Sequence, residues 1–130
     1  MLERDYFLKI IEEFAVAIQR FLNKKKEQQT DEEIQDLYRQ YVGDYDILRN
    51  LTVEEAIDYA RQEWEDYRQL EKLKMLADLW YTEGAIKQQP LRDILLTKSF
   101  KLFDYIDGRD KTFSLLRQQK MTKIREMLHS

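Results

Sequence analysis

Residues 5 to 22, DYFLKIIEEFAVAIQRFL, place apolar side chains at three- and four-residue intervals, and that period commits the segment to a helix rather than a strand. On a wheel of about 100° per residue, Phe7, Ile10, Ile11, Phe14, Ala17, Ile18, Phe21 and Leu22 form the centre of an apolar arc. Tyr6, Leu8 and Ala15 widen it to roughly 200°, while Lys9, Glu12, Glu13, Gln19, Arg20 and Asn23 fill the rest and only Val16 falls among them. A stripe against one neighbouring helix needs about half that width. The helix is therefore expected to touch two neighbours, or one neighbour and a second copy of the chain, with Phe7, Phe14 and Phe21 as candidate oligomer contacts.

The rest of the chain reads in the same way. Residues 31–42 begin with acids suited to a helix N-terminus and carry Ile34, Leu37, Tyr38, Tyr41 and Val42 on one face, and Gly43 stops them. GDYDILRNL then reads as a turn-forming connection, and Thr52 with Glu55 has the capping-box spacing before Ala56, Ile57 and Ala60. Apolar positions continue without glycine or proline to Gly84, which fits either one helix of about 30 residues or two meeting near Tyr67, the latter matching ordinary helix lengths better. Pro90 suits a first helical position for a helix that Asp107 and Gly108 end, and a last helix is predicted over 110–128, carrying Phe113, Leu116, Met121, Ile124, Met127 and Leu128. Three glycines and one proline in 130 residues leave few breakers, so the expectation is an all-α, compact bundle of five or six helices forming one domain over residues 1–130.

Catalytic equipment is sparse. Without cysteine there is no thiolate nucleophile, cysteine metal site or disulfide, and the one histidine, His129, reads as a tail residue. Isolated glycines make no phosphate-cradling loop. Asp44, Asp46 and Asn50 share one stretch and could offer oxygen to a hard cation, yet neither a closing glutamate nor a central glycine accompanies them, and turn or capping roles suit such residues better. No catalytic residue, metal or cofactor is assigned. The opening segment has neither the apolar length of a membrane span nor the basic start of a secretory leader, which points to the cytoplasm.

Two resemblances add to this reading. RDYFLKIIEEFAVAI resembles the start of a bacterial family of small all-helical proteins of unknown function, which begin with an Asp-Tyr pair followed by aliphatics, Glu and Phe. The likeness covers about the first 20 residues, with a looser one from Leu70 to Ile106, and implies a helical fold without catalytic residues. Leu76, Ala77 and Trp80, with Ser99 and Phe103, are similar to the small-residue and aromatic spacing of tetratricopeptide repeats, which implies helical hairpins. The distance between the two helices is about ten residues longer than that repeat's frame, and no second copy follows.

Charge is uneven: residues 1–85 hold 12 Lys and Arg against 20 Asp and Glu, and residues 86–130 hold 10 against 5. Basic C-terminal helices packing beside acidic N-terminal ones account for this best, with a protein partner next and nucleic acid last, because Lys111, Arg117, Lys120, Lys123 and Arg125 point in several directions on the wheel. Eight tyrosines suit either the rim of a core or a contact surface, for which Tyr38, Tyr41, Tyr45, Tyr67 and Tyr81, with Tyr59, are the candidates. The functional expectation is a non-enzymatic protein–protein interaction or structural module, self-association included. A nucleic-acid-associated regulator using the basic C-terminal half is the alternative.

Overall fold

A computed structural model describes residues 3–129, which form α-helices and no strand. The helices are α1 (Glu3–Leu22), α2 (Asp31–Tyr41), α3 (Tyr45–Leu48), α4 (Val53–Glu63), α5 (Asp66–Ile86), α6 (Leu91–Asp107) and α7 (Leu115–Leu128), with a 3₁₀ turn at Lys26–Gln28 between α1 and α2. The molecule is all-α, as the spacing predicts.

Local chemistry sets the boundaries. Thr30 caps α2 by accepting the Glu33 N–H. Both bonds of the capping box form at α4: Thr52 Oγ1 accepts from the Glu55 N–H, and Glu55 Oε1 accepts from the Thr52 N–H. The continuous apolar stretch after Thr52 is two helices, broken where Trp64 turns to extended backbone, three residues before Tyr67.

Two expected boundaries require correction. GDYDILRNL is more than a connection: Asp44 Oδ1 accepts the N–H groups of Asp46 and Ile47 at 2.9 and 3.3 Å, which starts the single-turn α3. Asn50 Nδ2 donates to the Asp46 carbonyl at 2.7 Å, so Asp44 and Asn50 serve the turn instead of facing a common cation. The last helix starts at Leu115 and not near 110, because Asp110 Oδ1 accepts the Thr112 N–H and Ser114 Oγ accepts the Arg117 N–H. Phe113, predicted on this helix, lies before it and is 74% exposed, and Leu116, in its first turn, is 56% exposed.

The centre of the bundle is α5. From Leu73 to Gly84 it buries Leu73, Met75, Leu76, Ala77, Leu79 and Trp80, residues that cover roughly 200° of the helix surface, and it packs against α1, α2, α4 and α6. A helix with so wide a buried face belongs at the centre of its neighbours. α5 and α6 approach closely at Gly84, where an added Cβ would lie 3.1 Å from Leu96 Cγ and 3.2 Å from Leu95 Cβ. Farther along the same contact Ser99 Oγ donates to the Ala77 carbonyl at 2.7 Å.

α6 and α7 form an antiparallel pair: Arg92 Nη2 donates to the Met127 carbonyl at one end, and Arg117 Nε to Asp107 Oδ1 at the other. α1 packs on both α5 and α2, the two neighbours that its wide arc predicts. Phe7, Phe14, Ile18 and Phe21 are buried by these contacts, with Phe14 edge-on to Tyr41 at 5.4 Å. Phe7, Phe14 and Phe21 thus spend their surface inside the chain, which corrects their assignment as oligomer contacts. The edge of the arc at Leu8 and Ala15 stays exposed.

Candidate functional site

The tyrosines expected to line one surface are dispersed. Tyr38, Tyr41 and Tyr45 are buried, which corrects their placement on an interaction surface. Tyr67 is half-buried near the start of α1, edge-on to Phe7 at 6.0 Å, and Tyr59 packs on Trp64 at 5.6 Å. Tyr81 is half-buried on α5, its ring 5.9 Å from Lys120 Nζ.

Tyr38 and Tyr45 have a definite task. Their hydroxyls donate to the two oxygens of Glu83, at 2.9 Å to Oε1 and 2.6 Å to Oε2, and Glu83 is fully buried. Arg49 Nε lies 3.5 Å and Lys87 Nζ 3.9 Å from Glu83 Oε2, so the buried carboxylate faces two cations as well as two hydroxyls. Burial, then the adjacent Glu83 charge and hydrogen bond, push the Tyr38 phenol well above its ordinary value, and burial with the same partner raises Tyr45. Lys98 Nζ donates to the carbonyls of Arg49 and Leu51 at 2.8 and 2.7 Å beside the Trp80 ring, and burial there lowers its pKa to about 8. These bonds tie α2, α3, α5 and α6 together and fill the space between them with protein atoms.

A second polar cluster joins α5 to the α6–α7 turn. Arg117, 6% exposed, donates from Nε to Asp107 Oδ1 at 2.5 Å and from Nη1 to Asp110 Oδ2 at 3.1 Å, and Gln118 Nε2 donates to Asp107 Oδ2. Lys74 Nζ lies 2.8 Å from Glu71 and 3.0 Å from Asp110, and Lys120 Nζ 2.5 Å from Asp78. Burial raises the Asp110 carboxyl, but hydrogen bonds from Lys74, the Thr112 backbone and Arg117 outweigh it and hold the pKa down at about 2. At Asp78 burial prevails over Lys120 and keeps the pKa above its ordinary value. Lys120–Asp78, like Lys87–Asp31 at 2.8 Å, joins the basic part of the chain to the acidic part.

This cluster floors a groove of about 170 Å³ between α1 and α7. One wall is α1, with Ile11, Phe14, Ala15, Ile18 and Gln19; the floor is α5, with Glu71, Lys74, Met75 and Asp78; the other wall is α7, with Leu116 and Lys120. A smaller cavity of about 90 Å³ adjoins it under Leu116, between Phe103, Ser114 and Arg117. Both are below the roughly 300 Å³ at which pockets for drug-sized ligands begin, and match one or two protruding side chains instead. Among the described residues no cluster of three or more acidic or histidine side chains could hold a metal ion, and no helix is long and apolar enough to cross a membrane.

Of the six tyrosines chosen from the sequence, Tyr81 lies beside this groove through Lys120, and Tyr41 backs its α1 wall through Phe14. Ala15, Met75, Leu116 and Lys120 were not singled out as site residues. Their signals were an apolar arc on α1 too wide for its neighbours and two leucines opening α7 at exposed positions. Glu83 also had a signal, a lone acid in the apolar run LWYTEGAI. No family model, curated protein or solved structure matches this chain.

Proposed function

We propose that this protein is a non-enzymatic helical docking module, and that the groove between α1 and α7 receives an amphipathic helix of a protein partner. The observation that carries this reading is the exposure of Leu116 at 56% opposite Ile11 and Ala15, over a floor held rigid by ion pairs. An apolar slot with paired polar groups beneath it suits side chains projecting from a helix at three- and four-residue spacing. Its walls are on helices rather than loops, so little ordering is required on binding. The likeness of Leu76, Ala77 and Trp80 to a helical-repeat pattern agrees with a binding role.

A photo-crosslinking residue at position 116, compared with one at Ile94, which is exposed on α6, tests the reading in cells. The expected result is one protein crosslinked from 116 and not from 94, through a peptide of amphipathic helical pattern, with loss of the product on Ala15→Trp. Equal labelling from both positions, or none from 116, overturns it. Crosslinking to nucleic acid instead would transfer the function to the basic C-terminal half.

A further inference from the structure

The two halves of α7 are held to the bundle by different forces. From Leu115 to Lys120 no apolar side chain is buried: Leu115 and Leu116 are exposed, as are Lys111, Thr112 and Phe113 before them. The attachment is polar, with Arg117 and Gln118 on Asp107, Arg117 also on Asp110, and Lys120 on Asp78. From Met121 on it is apolar, since Met121 and Ile124 are buried and Met127 and Leu128 pack on the core. Loss of hydration offsets much of the attraction between partly buried ions, whereas burial of apolar side chains carries no such penalty. At Asp78 burial outweighs the Lys120 charge. The first half also stands over space: the cavity of about 90 Å³ lies between it and Phe103, and Leu116 and Lys120 line both that cavity and the groove. Side chains bordering a void lack dispersion contacts on that side.

We infer that residues 111–120 form a strap that opens by itself while residues 121–128 stay docked, and that opening joins the cavity and the groove into one trough floored by α5. The closed strap has a single geometry, set by its ion pairs, and the open one returns Arg117 and Lys120 to water and removes the α7 wall of the groove. Local opening of this kind draws on the part of a fold with the fewest buried apolar contacts. It requires no ligand, and so is independent of the docking reading above.

Hydrogen exchange of the full chain, followed amide by amide in NMR spectra at one pH, tests this. The amides of residues 118–121 donate to carbonyls of residues 114–117, inside the strap, and those of 125–127 donate to carbonyls of 121–123, outside it. In the unaltered chain the first set should exchange about tenfold faster than the second, after correction for intrinsic rates, although the second lies nearer the end of the helix. Asp107→Asn, which takes a charged partner from Arg117, should speed the first set by a further tenfold or about that, and leave 125–127 and the amides of α6 unchanged. Asp78→Asn, acting through Lys120, should do the same, and the unchanged second set shows in each variant that the bundle is folded. Equal acceleration of both sets would show that α7 leaves as one body, and acceleration of neither that the ion pairs do not hold the strap. Either result overturns the inference, as does protection of 118–121 equal to or above that of 125–127 in the unaltered chain.

Discussion

Glu83 is the residue on which the most interactions converge. A buried carboxylate is tolerated only when its lone pairs are engaged, and here Tyr38, Tyr45, Arg49 and Lys87 surround it. Glu83→Ala should lower unfolding stability by about 3–5 kcal/mol in denaturant titration, since it strips the partners of a buried charge. Tyr45→Phe should cost about 1.5–3 kcal/mol, the range for a hydrogen bond to a charged group. The double variant should cost less than the sum, because both substitutions break the same bond. One position along, Gly84→Ala would gain up to about 1 kcal/mol of helix propensity. The new methyl would press on Leu96 Cγ and Leu95 Cβ, atoms close to the α6 backbone that cannot swing away. Overpacking costs about 1–3 kcal/mol, so a net loss of about 1 kcal/mol is expected, read as a lowered denaturation midpoint. The sequence signals both positions by their oddity in an apolar run, a lone acid and a glycine inside a helix, but not their partners, which lie 38 to 45 residues away for the tyrosines.

At the scale of elements, helices with a local cap followed by several turns of apolar period were legible, and a single turn or a start braced from another helix was not. The capping box at Thr52 and the acids before Ile34 act within one turn, and both helices start within a residue of where spacing places them. α3 depends on a single aspartate cap, and four residues are too few for a periodic signal. The start of α7 depends on Asp110, which Lys74 of α5 and Arg117 of α7 hold in place from outside the turn. That carboxylate makes stability depend on acid. Its folded pKa is depressed to about 2 from an ordinary 3.8, so its contribution is complete above pH 4 and is lost as pH falls from about 4 to 2. Urea titrations at pH 5 and pH 3 should show a loss, and Asp110→Asn should flatten that slope while lowering the plateau by up to about 2 kcal/mol. An unchanged slope in the variant would show that other carboxylates govern the acid limb.

At the scale of the molecule, α5 takes the interior position that the opening helix suggests for itself. α1 is clearly amphipathic, and amphipathicity belongs to a surface helix; α5, which spreads its buried residues over more than half its circumference and turns Glu71, Lys74 and Asp78 toward the groove, is the one that its neighbours surround. The arc on α1 is wider than α2 and α5 can cover, and the uncovered edge becomes a groove wall. Surplus apolar surface was therefore readable from the sequence, but its facing wall was not, since Leu116 comes to stand opposite Ala15 only through the reversal between α6 and α7. If that surplus serves binding rather than folding, stability and binding must separate on substitution. Ala15→Phe should occupy the groove from within and hold or raise stability by about 0.5–1 kcal/mol, as cavity-filling changes do. Leu116→Asp, at a position already exposed, should change stability by no more than about 0.5 kcal/mol. Both should abolish capture of a partner helix, and thermal denaturation beside a binding assay on the same preparations checks the two halves together. A large loss of stability from Leu116→Asp would instead make Leu116 part of the packing between α7 and the core, and the groove a by-product of it.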